Sequence, residues 1–444
     1  MKEKQNLLMK LRNRFSSQEG LDDLLKMSEN WDGYRRENAV RRLGVLGNPI
    51  AIPKLILRAN DWVPQVRLAA VQAIHSLAIP ANASAFVSCL PEIYHLGRCG
   101  RDNHDKLIAS IEGFLVSDVN AFHVIEGLSS DEPLVARASV SLILENGLLG
   151  KAQVVEMVMD HPDVLVRVKV CNLLRGLDAE VRMPALKKAI VDPFMPIRRE
   201  AFQILIKDGL SDELMESFLF DRHSSIRDIA IKNLKESGVD IKRIYLDGLA
   251  SDTIFNIRCS LWGIGELNCV EDAAKVKQFL SSAYPSLRKQ SLMTLAKLTG
   301  SAVIEDLESA LLDGSPAVCK VSVKLLNKLD VSYSSAGLMG IAENLVHSHT
   351  LSCCLAVAKK MNKWERLIFL VCLFDVLQQS ETVSATTILA AIGVWDEGFN
   401  KSAAQPTKAQ LDVLSEKLKI CGDALVSCRY GNIKFTLRSF GVDI

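Results

Sequence analysis

The sequence has no long hydrophobic run, no surplus of either charge, no low-complexity tract and no regular cysteine spacing. Each absence closes a class. The longest strongly apolar stretch, residues 367–374 between Arg366 and Asp375, is far short of the ~20 residues a membrane-spanning helix needs. The opening residues, Met1-Lys-Glu-Lys-Gln, are charged, and no apolar export segment follows. Lys and Arg number 53 against 52 Asp and Glu, a net charge of +1. That balance excludes a chain built throughout to coat nucleic acid or an anionic membrane, although it allows a local basic face. The eleven cysteines are irregularly spaced and set among apolar neighbours, as at Cys171, Cys259 and Cys372. They read as small buried hydrophobes in a reducing compartment. The expectation is a cytoplasmic protein with no membrane partner.

What is present is a repeat. At 444 residues the chain exceeds the ~250–300 that one hydrophobic core serves, so it must be several domains or a stack. Take Arg67 of Asp61-Trp-Val-Pro-Gln-Val-Arg67 as a slot. Matching positions are Arg36, Ala136, Arg167, Arg198, Arg227, Arg258, Arg288 and Cys319, at intervals of 29 to 31 except one of 69. That long interval is two units, with a degenerate repeat near 97–104. Seven residues after the slot an apolar side chain recurs (Leu43, Ile74, Ile143, Leu174, Leu205, Leu234, Leu295, Leu326), with Gly265 the exception. Six before it Asp recurs (Asp61, Asp192, Asp221, Asp252, Asp313), and Pro recurs shortly before it (Pro64, Pro133, Pro196, Pro285, Pro316).

One unit is therefore two helices. Apolar residues at three-to-four spacing make the first. The Asp-x-x-Pro stretch ends it, because Pro forces the preceding residue out of the helical region yet suits the opening turn of the next helix. Such a pair exposes apolar surface on two sides and is stable only when neighbours stack on it. After Leu329 the phase weakens. Residues 330–395 read as degenerate repeats, with helices expected over 335–361, 364–379 and 382–394. Residues 396–444 read as a cap: a loop over 398–405, then a capping-box start at Thr407-x-x-Gln410 for a helix carrying Leu411, Leu414, Leu418, Cys421 and Leu425.

Over roughly residues 20–329 this pattern resembles the HEAT-repeat family, whose bacterial-type arrays and phycobiliprotein chromophore lyases share the unit. The resemblance implies an all-α, right-handed α-solenoid of about ten hairpins, with 1–329 as the array. It also implies that the Asp and slot Arg link adjacent repeats along the inter-helix turns. Asp61/Arg67, Asp192/Arg198, Asp221/Arg227 and Asp252/Arg258 would then form a structural ladder. The architecture hosts many functions and carries little functional information by itself.

Catalytic equipment is scarce. None of the eight His is followed by Glu, so the His-Glu metal dipeptides of HEAT-type hydroxylases are missing. His347, His349, Cys353 and Cys354 lack metal-ligand spacing, and Gly263-Ile-Gly265 lacks the third glycine of a phosphate loop and reads as close packing. Trp262 and Glu266 imitate part of a HEAT-like DNA glycosylase cleft, in a motif too short to be specific. No metal, cofactor or catalytic residue is expected.

One feature is spread along the chain. Residues one and five after each slot share a helix face, and their basic members are Arg41, Arg137, Arg199, Lys232, Lys289, Lys320 and Lys324, against two acidic ones. Acids gather on the first helices instead, as at Asp212-Glu213, Glu271-Asp272 and Glu305-Asp306. In HEAT-like stacks the second helices line the concave surface. The leading expectation is a non-catalytic scaffold gripping an acidic protein segment there. The alternative is a nucleic-acid-binding protein, extending to a base-modifying enzyme. Trp31 and Trp62, one period apart, are expected to anchor packing near the turns.

Overall fold

The computed structural model describes residues 18–345, 347–377, 385–427 and 431–442, without the side chains of 18–19, 385, 420–427 and 431–434. The charged opening, residues 378–379 and 382–384 of the expected helices, and the Cys421 and Leu425 side chains lie outside that description. Every regular element among the described residues is a helix. None of these helices is long and apolar enough to cross a membrane. The chain divides into two compact units, Met1–Leu210 and Ser211–Ile444.

In the first unit the slot-bearing helices Gly33–Leu46 and Pro64–Leu77 pack side by side, with Ile52–Ala59 against the latter. Pro64 and Pro133 stand in the first turn of their helices, where no N–H is missed. The segment 97–104 is an inter-helix turn leading into the helix Asp105–Leu115. That helix supplies the degenerate repeat: Ile108 takes the slot, and Leu115, seven residues on, is fully buried. Helices Pro133–Asn146, Val164–Cys171 and Met195–Lys207 follow, the second packed on the first and the third on the second.

In the second unit Ile254–Glu266, Pro285–Thr299 and Pro316–Lys328 pack in sequence. Here the structure corrects the register. Helix caps fall four residues before the slot, at Asp32 and His223 for example, and the Ile254 helix is capped by the Thr253 side chain. The slot of this repeat is therefore Ile257, not Arg258. Gly265 ceases to be an exception, because the residue seven after Ile257 is Ile264, which is fully buried. Gly263 and Gly265 are close-packing positions. A Cβ on Gly263 would lie 2.3 Å from the buried Tyr245 ring, and one on Gly265 would lie 3.2 Å from Thr294.

Toward the end of the chain, Lys363–Leu377 is enclosed by Ala385–Glu397 and Lys408–Ser427. Thr407 and Gln410 make the reciprocal capping-box bonds, at 3.0 and 3.3 Å. Leu414 and Leu418 are buried. Trp364 sits with Trp395, Phe399 and Phe440 at edge-to-face distances of 5.2–5.9 Å. Its indole N–H donates to the Ala404 carbonyl at 2.8 Å, so the widest ring of this core leaves no polar atom unpaired.

Candidate partner-binding surface

The inter-helix turns decide which cations are free. The side chain six before the slot accepts from the N–H two residues on. Asp61 takes Val63 at 2.9 Å, Asp192 takes Phe194 at 2.7 Å, Asp221 takes His223 at 2.7 Å and Asp313 takes Ser315 at 2.7 Å. Each slot arginine then donates to the main-chain carbonyl of that same residue. Arg67 reaches Asp61 O at 3.0 Å, Arg198 reaches Asp192 O at 2.7 Å and Arg227 reaches Asp221 O at 2.7 Å. Cys319, where the slot holds no arginine, makes the same bond through sulfur at 3.0 Å.

The carboxylates of Asp61 and Asp192 do not pair with the slot arginine of their own repeat, although Asp61 also meets Arg58 at 2.8 Å, and here the expected pairing is corrected. They receive the arginine of the repeat before. Arg36 binds Asp61 at 2.9 and 2.8 Å, Arg167 binds Asp192 at 2.7 and 3.1 Å, and Arg288 binds Asp313 at 2.7 and 2.7 Å, each across 25 residues. The geometry explains why. Nη1 is occupied by its own turn, leaving Nε and Nη2 as a fork that matches a carboxylate on the next turn. Burial works to raise the pKa of Asp61. The Arg36 hydrogen bonds, the Val63 N–H and the Arg36 and Arg58 charges outweigh it and hold the carboxyl below its ordinary range. The constant separation of 25 was the available signal in the sequence.

Two arginines change places. Arg137, expected on the basic face, binds Asp163 at 2.9 Å through Nε and also through Nη2 at 2.6 Å. Those bonds and the Val166 N–H bring Asp163 down to about 2 against the opposing effect of burial. Arg258, expected in the ladder, is exposed one residue beyond its slot, with its guanidinium 5.4 Å from the Phe255 ring. Asp252 is exposed too, and Ser251 accepts from the Thr253 N–H in its place at 3.3 Å. A serine cannot receive the preceding repeat's fork. Accordingly the Arg227 Nε is buried without a hydrogen-bond partner, and its guanidinium stacks 3.9 Å from the centre of the Trp262 ring.

The remaining basic residues divide by unit. In the first, Arg41 is tied to Glu37 on its own helix at 2.8 Å, and Arg199 is exposed without an ion pair among the described residues. In the second, Lys232, Lys289, Lys320 and Lys324 make no ion pair among the described residues. Lys289 and Lys320 hold equivalent positions on two helices packed together, Lys324 lies one turn along, and the corrected register adds Arg258 to their row. The first helices differ. Lys242 binds Glu271 and Asp272, Lys275 binds Asp272 at 2.9 Å, and Lys277 binds Asp306 at 3.0 Å.

The other candidates are engaged within the protein. Glu266 accepts from Lys297 at 2.6 Å, and Trp262 lies under Arg227. His347 and His349 stack at 5.2 Å, and the His349 Nε2 is 3.0 Å from the Asp313 carbonyl. Among the described residues no group of three or more His, Cys, Asp or Glu is placed to hold a metal ion. Cys171 and Cys259 are buried, and burial pushes the Cys171 thiol up to about 12. Trp31 and Trp62 do not anchor packing, being 84% and 68% exposed.

No protein-family model matches this chain, and no curated protein matches it either. Among solved structures, a crystal structure of an engineered protein is matched at 14% identity over 92% of this chain and 96% of that one, with a TM-score of 0.20. A score that low carries no argument about fold or function.

Proposed function

We propose that the chain is a HEAT-like, right-handed α-solenoid acting as a non-catalytic cytoplasmic binding scaffold. Its second helices line the concave face, and the basic row of the second unit (Arg258, Lys289, Lys320 and Lys324, with Lys232) grips an acidic protein segment. The observation that carries this reading is segregation of charge. The acids of the first helices neutralise first-helix lysines, while on the second helices Lys232, Lys289, Lys320 and Lys324 make no ion pair among the described residues, Lys297 being the one held, by Glu266. Exposed cations contribute little to a fold, whereas a row of one sign speeds association with a ligand of the other. A duplex or single strand would also meet such a row, and salt separates the two. Nucleic-acid affinity falls steeply with ionic strength as counterions are released.

The test is the variant K289E/K320E/K324E, compared with the parent in capture from native extract with and without nuclease. The scaffold reading expects a nuclease-resistant partner lost from the variant, with helical signal and melting unchanged. Equal capture by both chains rejects the row. Capture abolished by nuclease transfers it to nucleic acid.

A further inference from the structure

A cleft of about 300 Å³ opens between the helices Ser348–Ala358, Lys363–Leu377 and Ala385–Glu397. Its walls are apolar, formed by Leu355, Leu370, Ala391 and Val394 among others, and two cations line it, Arg366 and Lys359. Among the described residues neither head group has an acidic partner or a hydrogen-bond acceptor. Arg366 is only partly exposed, and burial alone pushes its pKa down, with no carboxylate nearby to oppose the shift. The larger groove of about 720 Å³ beside Lys242, Arg243 and Lys275 is different. Its cations are held by Glu271, Asp272 and Asp247.

A guanidinium withdrawn from water without a counter-charge is unfavourable, and a carboxylate relieves that by binding it through two parallel hydrogen bonds. Lys359, exposed on the rim, adds a second attraction for the same anion. The apolar walls favour a hydrocarbon body behind the charge. At ~30 Å³ per water-sized group the cleft has room for roughly ten such groups, the size of an eight-carbon acid. We propose that this cleft binds a small carboxylate with an unbranched apolar tail, the carboxylate on Arg366 and Lys359 and the tail along Leu355, Leu370 and Val394. This site is separate from the basic row and does not depend on its role.

Titration calorimetry of the full chain with octanoate tests the proposal, with octan-1-ol as the uncharged control. The expected result is saturable one-site binding at or below about 1 mM, with octanol at least tenfold weaker. Arg366→Leu should remove the preference for the acid. Lys359→Glu, on the exposed rim, should weaken octanoate several-fold, and Ala391→Trp should block the tail. If Arg366→Leu does not fold, the rim variant decides. Non-saturable octanoate, octanol binding as tightly as the acid, or Lys359→Glu binding like the parent overturns the proposal. K289E/K320E/K324E should bind octanoate as the parent does.

Discussion

The two units use similar arginines in opposite ways. In the first, Arg36, Arg137 and Arg167 are each locked by two hydrogen bonds to an aspartate of the following repeat. In the second, Arg288 alone among the described residues makes the equivalent bidentate bond within the unit. Arg227 meets an aromatic face, and Arg258 faces solvent. Where the turn supplies a carboxylate, the guanidinium becomes part of the frame. Where the turn supplies a serine, the cation is left for something else. One residue type thus serves stability or surface charge according to whether the next inter-helix turn offers a carboxylate, six positions before the slot for Arg36 and Arg167 and four before it for Arg137.

The sharpest break of this contrast is Asp61→Ala. It strands Arg36, which is 2% exposed, and should cost about 3–5 kcal/mol in urea unfolding. Asp252→Ala, at the exposed aspartate next to Ser251 in the turn before Ile257, should change stability by less than ~0.5 kcal/mol. Equal effects would dissolve the distinction between the two turns. Next in size, Gly263→Ala drives a methyl group against the Tyr245 ring and should cost about 1–3 kcal/mol. Gly265→Ala, with more room, should cost less in the same assay.

A gain should come from Ser251→Asp, which supplies the carboxylate that Arg227 lacks. An increase of about 0.5–1.5 kcal/mol, with loss of any stacking signature on Trp262 fluorescence, would show that the second unit can be given a rung of the first kind. A fall in stability would show that Trp262 has become the better partner. The pH response is smaller and has a fixed sign. Asp163 titrates lower in the folded chain than its ordinary ~3.9, at about 2. Its contribution is therefore complete above pH ~4 and disappears as pH falls toward 2. Asp163→Asn should flatten that part of the stability profile relative to the parent. Smallest of all, K289E/K320E/K324E should leave melting within ~0.5 kcal/mol of the parent, since none of the three lysines is ion-paired among the described residues.

Much of the helical plan could be read from spacing. Positions such as Ile74, Leu205 and Leu326 recur because one helix face must be dry, and Pro64 and Pro316 recur because a helix must begin there. In the Ile254 helix an arginine stands next to the true slot, so charge spacing points one residue too far along. The better markers were the Thr253 cap and Ile264, which obey packing and not charge. Local helix spacing places Arg137 on the surface, but its partner lies nearly a full repeat away, 26 residues on at Asp163. The exposure of Trp31 and Trp62 could not be inferred, since periodic aromatic residues suit a core and a contact face equally. The cleft around Arg366 is assembled from three helices where the repeat phase has faded, so no spacing announced it.

The rungs also point one way along the chain. Arg36 is completed by Asp61, Arg167 by Asp192 and Arg288 by Asp313, always by a residue made later. During synthesis, which proceeds at ~5–20 residues per second, each of these three turns emerges with its arginine fork empty and must wait about 25 residues for its acid. A nascent array therefore carries an unsatisfied guanidinium at its growing end, and a chain cut between Arg167 and Asp192 would keep one permanently. A chain begun after Arg167 would instead keep Asp192, whose carboxylate is still satisfied in part by its own turn at Phe194. Truncation from the two ends should be unequal in consequence, with loss of the later residues the more damaging.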